Sequence, residues 1–287
     1  KSELITLTGG WTQQVGGDIF SDITNPGQSF GTNIAMSNDG THIIVGSYTE
    51  TSNYHGAARV FKWDGSSWNQ LGNAFIGTIS FGLLSEPDAL SISSNGQRIV
   101  IGSPNDDGNA TNAGTARVYE YDDSADTWNQ LGDDIDGSGA SNFFGATVRI
   151  SGNGLRVIGG GIGDGSIDHG VCRVYELDSS VSPAQWNQLG DDIEGDADSD
   201  EFGTIVAISS NGNRIAASAP DHDDKKGHVK VYNWNSSSWV QLGDDIDGED
   251  NGELFGKALA MSSDGNYIAV GIPYKDHDGH QNIGQVR

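Results

Sequence analysis

Five near-copies of one unit constrain this chain more than any other feature. Trp11, Trp68, Trp128, Trp186 and Trp239 are separated by 57, 60, 58 and 53 residues. Counting from Trp239 through Arg287, and on from Lys1 to Trp11, adds a further 59. The expectation is one domain over 1–287 with units 11–67, 68–127, 128–185, 186–238 and 239–287 plus 1–10. Such a chain reads as a closed ring of units cut at one point.

Each unit carries the marks of four short antiparallel strands. The first, such as IVAIS, ends at Asp39-Gly40, Asn95-Gly96, Asn153-Gly154, Asn211-Gly212 or Asp264-Gly265. Asn-Gly or Asp-Gly between alternating runs signals a two-residue hairpin turn with φ > 0 at both positions. The second strand (RIAAS) follows, then a third opening on Gly (GHVKVY) and a fourth led by Trp (WVQLG). No helical period of useful length is present. Four strands per repeat specify an all-β, five-bladed β-propeller, its last blade built from the N- and C-terminal segments together. An open solenoid would want atypical capping repeats, and a sandwich has no use for five near-copies.

Composition narrows the function classes. Forty Asp and Glu against 15 Lys and Arg give a formal charge of −25, which excludes a nucleic-acid-binding face. No apolar run reaches the roughly 18 residues of a membrane helix, so no membrane insertion is expected. Seven Trp, eight Tyr and nine Phe argue against disorder. The single Cys172 occupies a third-strand position that is apolar in the other units, and reads as a small buried hydrophobe.

The segments FGTIVAIS, RIAASAP and GHVKVY resemble FG-GAP repeats, the blades of integrin α-like propellers. The matching elements are the Phe-Gly before the first strand (Phe30, Phe144, Phe202, Phe255), the Ala219-Pro220 ending and the Gly opening the third strand. The resemblance implies an extracellular or cell-surface binding propeller. It departs from the family in having five units rather than seven and in lacking the DxDxDG calcium loops between first and second strands.

In a propeller the loops after strands two and four share one face. Twenty-eight carboxylates fall there, against seven on the opposite face. Crowded carboxylates on flexible loops suit Ca²⁺, and the candidate ligands are Asp196, Asp198 and Asp200 with Asp247, Glu249 and Asp250. Solvated charge conferring solubility explains the same residues. The second Asp of each GDDI (Asp18, Asp134, Asp192, Asp245) either caps backbone between blades or contacts a ligand. Two matching triplets, Asp221-His222-Asp223 and Asp276-His277-Asp278, join the candidate binding face, with a zinc role or plain solvation as alternatives. Asn109 and Asn235 open glycosylation triplets.

Three readings of function follow. The first is a non-catalytic binding, adhesion or assembly module whose partner is a protein, a glycan or another copy of the chain. The second is a lectin with one site per blade. The third is a five-bladed glycoside hydrolase, which needs an asymmetric carboxylate pair that no unit displays in sequence.

Overall fold

The computed structural model describes residues 17–20, 29–47, 56–77, 88–163, 169–276 and 278–287. They form an all-β protein of five antiparallel sheets arranged as a five-bladed β-propeller. The first blade holds β1 (Asn33–Met36), β2 (His42–Ser47), β3 (Ala57–Trp63) and β4 (Trp68–Ile76). The second holds β5 (Leu90–Ile92), β6 (Arg98–Ser103), β7 (Thr115–Asp122), β8 (Thr127–Gln130) and β9 (Ile135–Asp136). The third runs β10 (Thr147–Ile150), β11 (Arg156–Gly161), β12 (Val171–Asp178), β13 (Gln185–Gln188) and β14 (Ile193–Glu194). In the fourth are β15 (Val206–Ile208), β16 (Arg214–Ala219), β17 (His228–Trp234), β18 (Trp239–Gln241) and β19 (Ile246–Asp247). The fifth has β20 (Ala258–Met261), β21 (Ile268–Ile272) and β22 (Gln285–Val286). Its expected fourth strand, around Trp11, lies outside the described residues.

The hairpin between the first two strands differs from the two-residue turn that the sequence suggests. It is a Ser-x-Asn/Asp-Gly turn in which the Gly amide donates to the Ser carbonyl at 2.8–3.0 Å. Among these turn residues φ is positive only at the glycines, at 70–75°. The Asn or Asp is selected for its side chain. Asp39, Asn95, Asn153, Asn211 and Asp264 each accept from the Ser hydroxyl and from the backbone N–H two residues on. This is a type I turn closed by a left-handed Gly, with an Asx turn inside it.

The Phe-Gly motif joins neighbouring blades. Phe144, Phe202 and Phe255 are fully buried and anchor the junctions between successive blades from the second to the fifth. Their amides donate to Ala113, His169 and Lys226, next to the Gly that opens the preceding blade's third strand. That Gly has φ of +77, +74 or +79°, and a Cβ there would sit 2.1–2.2 Å from the Phe carbonyl oxygen. Only glycine fits, because both the dihedral and the space exclude a side chain.

Two ladders stitch the blades further. The indole N–H of Trp128, Trp186 and Trp239 donates to the carbonyl of Leu71, Leu131 and Leu189 in the preceding blade, at 3.1, 2.7 and 2.8 Å. Arg98, Arg156 and Arg214 donate to the carbonyls of Gly154, Gly212 and Gly265 in the following blade's first turn. Trp68, Trp128, Trp186 and Trp239 stand at the start of equivalent fourth strands and are half-buried, and Trp11 lies outside the described residues.

The first and fifth blades each leave exposed a flank whose equivalent packs against the neighbouring blade elsewhere. Ile34 and Met36 are 66% and 57% exposed, whereas the matching Leu90 and Ile92 of the second blade are 3% and 7%. Val286 is 74% exposed, although Ala116, Cys172 and Val229 at its position are all at 0%. These are the two blades that the N-terminal segment, outside the described residues, is expected to join.

Candidate functional site

A second repeat, not read from the sequence, organises the acidic face. The third residue after the Gly that opens each third strand is a cation: Arg59, Arg117, Arg173, Lys230 and Arg287. Those positions take five of the chain's 15 Lys and Arg. The fourth strand in turn breaks in two. In the second blade Tyr119 pairs with Gln130 and Ala116 with Ile135, so the four residues 131–134 bulge opposite only Arg117 and Val118. The second Asp of GDDI lands on the cation.

The contacts repeat from blade to blade. Arg117 holds Asp134 at 2.7 Å and Asp106 at 2.9 Å. Arg173, 5% exposed, grips both oxygens of Asp192 and also reaches Ser138 and Asn142. Lys230 stands 3.7 Å from Asp245. Gln130, Gln188 and Gln241 donate to the same three carboxylates. Burial opposes the charge on Asp192, but Arg173 and Gln188 outweigh it and hold its pKa below the usual range. In the second, third and fourth blades these aspartates therefore form intrablade ion pairs and do not meet at a common centre. They bind strand cations and glutamine amides rather than backbone, so backbone capping does not describe them.

The junction of the third and fourth blades is the richest site. The three aspartates expected to share calcium point to three different partners. Asp196 accepts from Lys230 through both oxygens at 2.6 Å, Asp198 from His169 at 2.8 Å, and Asp200 from His222 Nδ1 at 2.9 Å. A calcium site needs six to eight converging oxygens, and these diverge. Burial raises Asp196, yet Lys230 more than compensates and its pKa is lowered. Asp200 is 3% exposed and also accepts from its own loop's Ala197 amide.

An open cleft of about 640 Å³ lies over this junction, lined in part by Asp198, Asp200, Glu201, Asp221, His222 and Asp223. Glu201 hydrogen-bonds Asp221, and burial together with the Asp221 charge raises its pKa. Asp223, Asp224 and Lys225 take left-handed φ of 50, 56 and 66° directly after His222, a conformation costly for non-glycine residues. His228, at the start of β17, is buried against Phe202 and lies 4.2 Å from His222, ring centre to ring centre.

The second acidic loop is likewise neutralised from within. Lys275 contacts Glu249 at 2.9 Å, Asp250 at 3.1 Å and the buried Glu253 at 2.7 Å, and Arg287 pairs with Glu249. Lys275 is pushed up by Glu253 and Glu249, and Glu249 is pulled down by Lys275. Asp247 is exposed in β19, where it pairs with His228 across the sheet. Asp276 accepts from the Asn282 amide, and Asp278 is exposed with φ of 51°. His277 lies outside the described residues. Cys172 is fully buried, which pushes its thiol pKa up.

Neither a family model nor a curated protein sequence matches the chain. Similarity to solved structures is extensive. Hydrazine synthase from Kuenenia stuttgartiensis aligns over 90% of this chain and 60% of its own, with 14% identity and a TM-score of 0.53. The periplasmic gluconolactonase PpgL of Pseudomonas aeruginosa aligns over 84% and 64%, with 14% identity and a TM-score of 0.54. The chain thus spans less than two thirds of the length of either. At such identity the likeness is one of fold, and it places this chain among the β-propellers.

Proposed function

We propose that the protein is a non-catalytic binding propeller of the cell exterior that presents its acidic loop face to a protein or glycan partner. The observation that carries this reading is the ion-pair ladder. In the second, third and fourth blades a third-strand cation fixes the same loop, so Asp134, Asp192 and Asp245 recur as a rigid rim. A rigid surface with repeated polar contacts binds without a large ordering cost. Function then lies in the loops, which differ in length and acidity while the strands stay nearly uniform. The resemblance to FG-GAP blades points the same way. Among the described residues no helix is long and apolar enough to cross a membrane.

Among the described residues, the carboxyl pair with a raised pKa, Glu201 with Asp221, does not suit glycosidic chemistry. Glu201 and Asp221 hydrogen-bond each other directly, whereas a retaining hydrolase holds its two carboxyls about 5 Å apart and an inverting one farther. A glycan array probed with the labelled chain, followed by a salt titration of any ligand found, tests the proposal. Binding should weaken as salt rises and should be lost with Asp198→Lys and Asp247→Lys combined. Turnover of a glycan or ester that a single change such as Glu201→Gln abolishes would overturn it.

A further inference from the structure

His228 is wholly buried, and neither of its ring nitrogens has a hydrogen-bond partner. Leaving a buried polar group unpaired costs about 1–3 kcal/mol, so a histidine kept in this condition calls for a reason. Propeller symmetry shows that the fold does not require it. The same position is Ala57, Thr115, Val171 and Gln285 in the other blades.

The surroundings of His228 are as distinctive. His222 stands where the second blade has Asp106 and the fifth has Lys275, and Asp196 where the loops entering the third and fifth blades have Ser138 and Glu249. Among the described residues, Asp196, His222 and His228 form a group whose ligating atoms lie within 4.8 Å of one another. His222 Nδ1 is engaged by the buried Asp200, which turns its Nε2 lone pair to the outside of that pair. A carboxylate behind a histidine in this way fixes the ring and raises its basicity toward a metal.

We propose that Asp196, His222 and His228 bind one zinc-class transition-metal ion, with Asp200 as the residue that positions His222. Two imidazoles and one carboxylate select a borderline-soft ion over Ca²⁺. Ligands about 2.0–2.1 Å from a tetrahedral centre lie about 3.3 Å apart, so side-chain rotations must draw the three atoms together by about an ångström. The fourth position opens toward solvent on the side of the exposed Asp196. Lys230 is the built-in competitor, since its ammonium holds both oxygens of Asp196. Metal binding displaces it toward Asp245, 3.7 Å away.

Cobalt(II) titration of the full chain, followed by visible absorption, tests the site, and zinc calorimetry gives the stoichiometry. One ion per chain is expected, with the d–d bands of a four-coordinate centre. His228→Gln, which copies the fifth blade, and His222→Lys, which copies it at the second position, should each abolish the bands. Asp200→Asn should weaken binding about 10–100-fold, and Lys230→Met should tighten it. Millimolar Ca²⁺ should not displace the cobalt. No saturable cobalt binding by the wild-type chain would overturn the proposal, as would bands that survive in both histidine variants. If His228→Gln fails to fold without metal, the partly exposed His222 supplies the decisive variant.

Discussion

Arg173 and Asp192 offer the sharpest test of the ion-pair ladder, because the two partners differ in exposure. The Arg173 side chain is 5% exposed and that of Asp192 is 32%. Asp192→Ala leaves a buried guanidinium without its bidentate carboxylate, while Asn142 and Ser138 stay among its side-chain partners. Removing one partner of a buried pair costs about 3–5 kcal/mol. Water entering at the exposed Asp192 position reduces this to about 2–3 kcal/mol. Arg173→Met keeps most of the apolar stem and leaves Asp192 free to rehydrate while still bonded to Gln188. That change should cost about 1 kcal/mol. Urea denaturation of both single variants and the double variant gives the coupling energy, expected at about 1–2 kcal/mol. At about 2–4 °C per kcal/mol for a domain near this size, Asp192→Ala should melt several degrees below Arg173→Met. An Arg173→Met variant less stable than Asp192→Ala would refute the reasoning. So would coupling below about 0.5 kcal/mol, which is the range of an ordinary surface pair.

Phe144→Ala should cost about 3–5 kcal/mol, the usual range for a wholly buried ring, and an unchanged melting temperature would remove Phe-Gly from the blade junction. Ile34→Asp should be nearly neutral, within about 0.5 kcal/mol, whereas Leu90→Asp at the matching buried position should unfold the chain. Equal losses in thermal melts would mean that Ile34 is covered in solution. Asp39 is held at about 2 by Ser37 and Thr41, well below its unfolded value. A lowered folded pKa contributes stability that is complete above about 4 and lost as pH falls toward 2. Asp39→Asn keeps the turn, as Asn95 does, and should flatten that part of the acid denaturation profile. An unaltered profile would place the titration elsewhere.

The blades were legible because their strongest signals are local. The Gly of every first turn needs a left-handed φ, and Phe-Gly pairs mark the entry to four of the five blades. What escaped notice depends on register. Asn-Gly taken alone suggests a two-residue turn through its backbone preference. The Ser two positions before the Asn or Asp shows instead that its oxygen is an acceptor. The cations at Arg117, Arg173 and Lys230 are as regular as the acids they bind. Counting acids by loop treated charge as a property of a face and passed over the strand beneath it. The spacing of Asp196, Asp198 and Asp200 suggested convergence on one ion. In a loop without regular alternation, spacing does not decide direction, and each side chain goes to a separate cation or imidazole.

The same symmetry that makes the fold easy to read also separates scaffold from specialisation. A residue type that recurs at one register in most blades is explained by a requirement all blades share. The third-strand cation, the Trp indole and the Phe of Phe-Gly meet that test, and each has a structural partner in the neighbouring strand or blade. A residue found in one blade only has no such explanation. By that criterion the fourth blade stands apart, since His222 and His228 replace unrelated side chains at two positions that face each other in space. Asp196 and Asp200 complete the group from the loop that enters the blade. The two histidines converge within one junction beside Asp196 and Asp200, whose positions in the loop entering the fifth blade are also acidic (Glu249 and Glu253), and His228 is buried, where a polar side chain is costly unless paired. The group is hard to see in sequence because its members span 32 residues, from Asp196 to His228, and meet only after the loop has folded back onto β17. Specialisation in a ring of repeats is to be sought where equivalent positions disagree and the disagreement is buried.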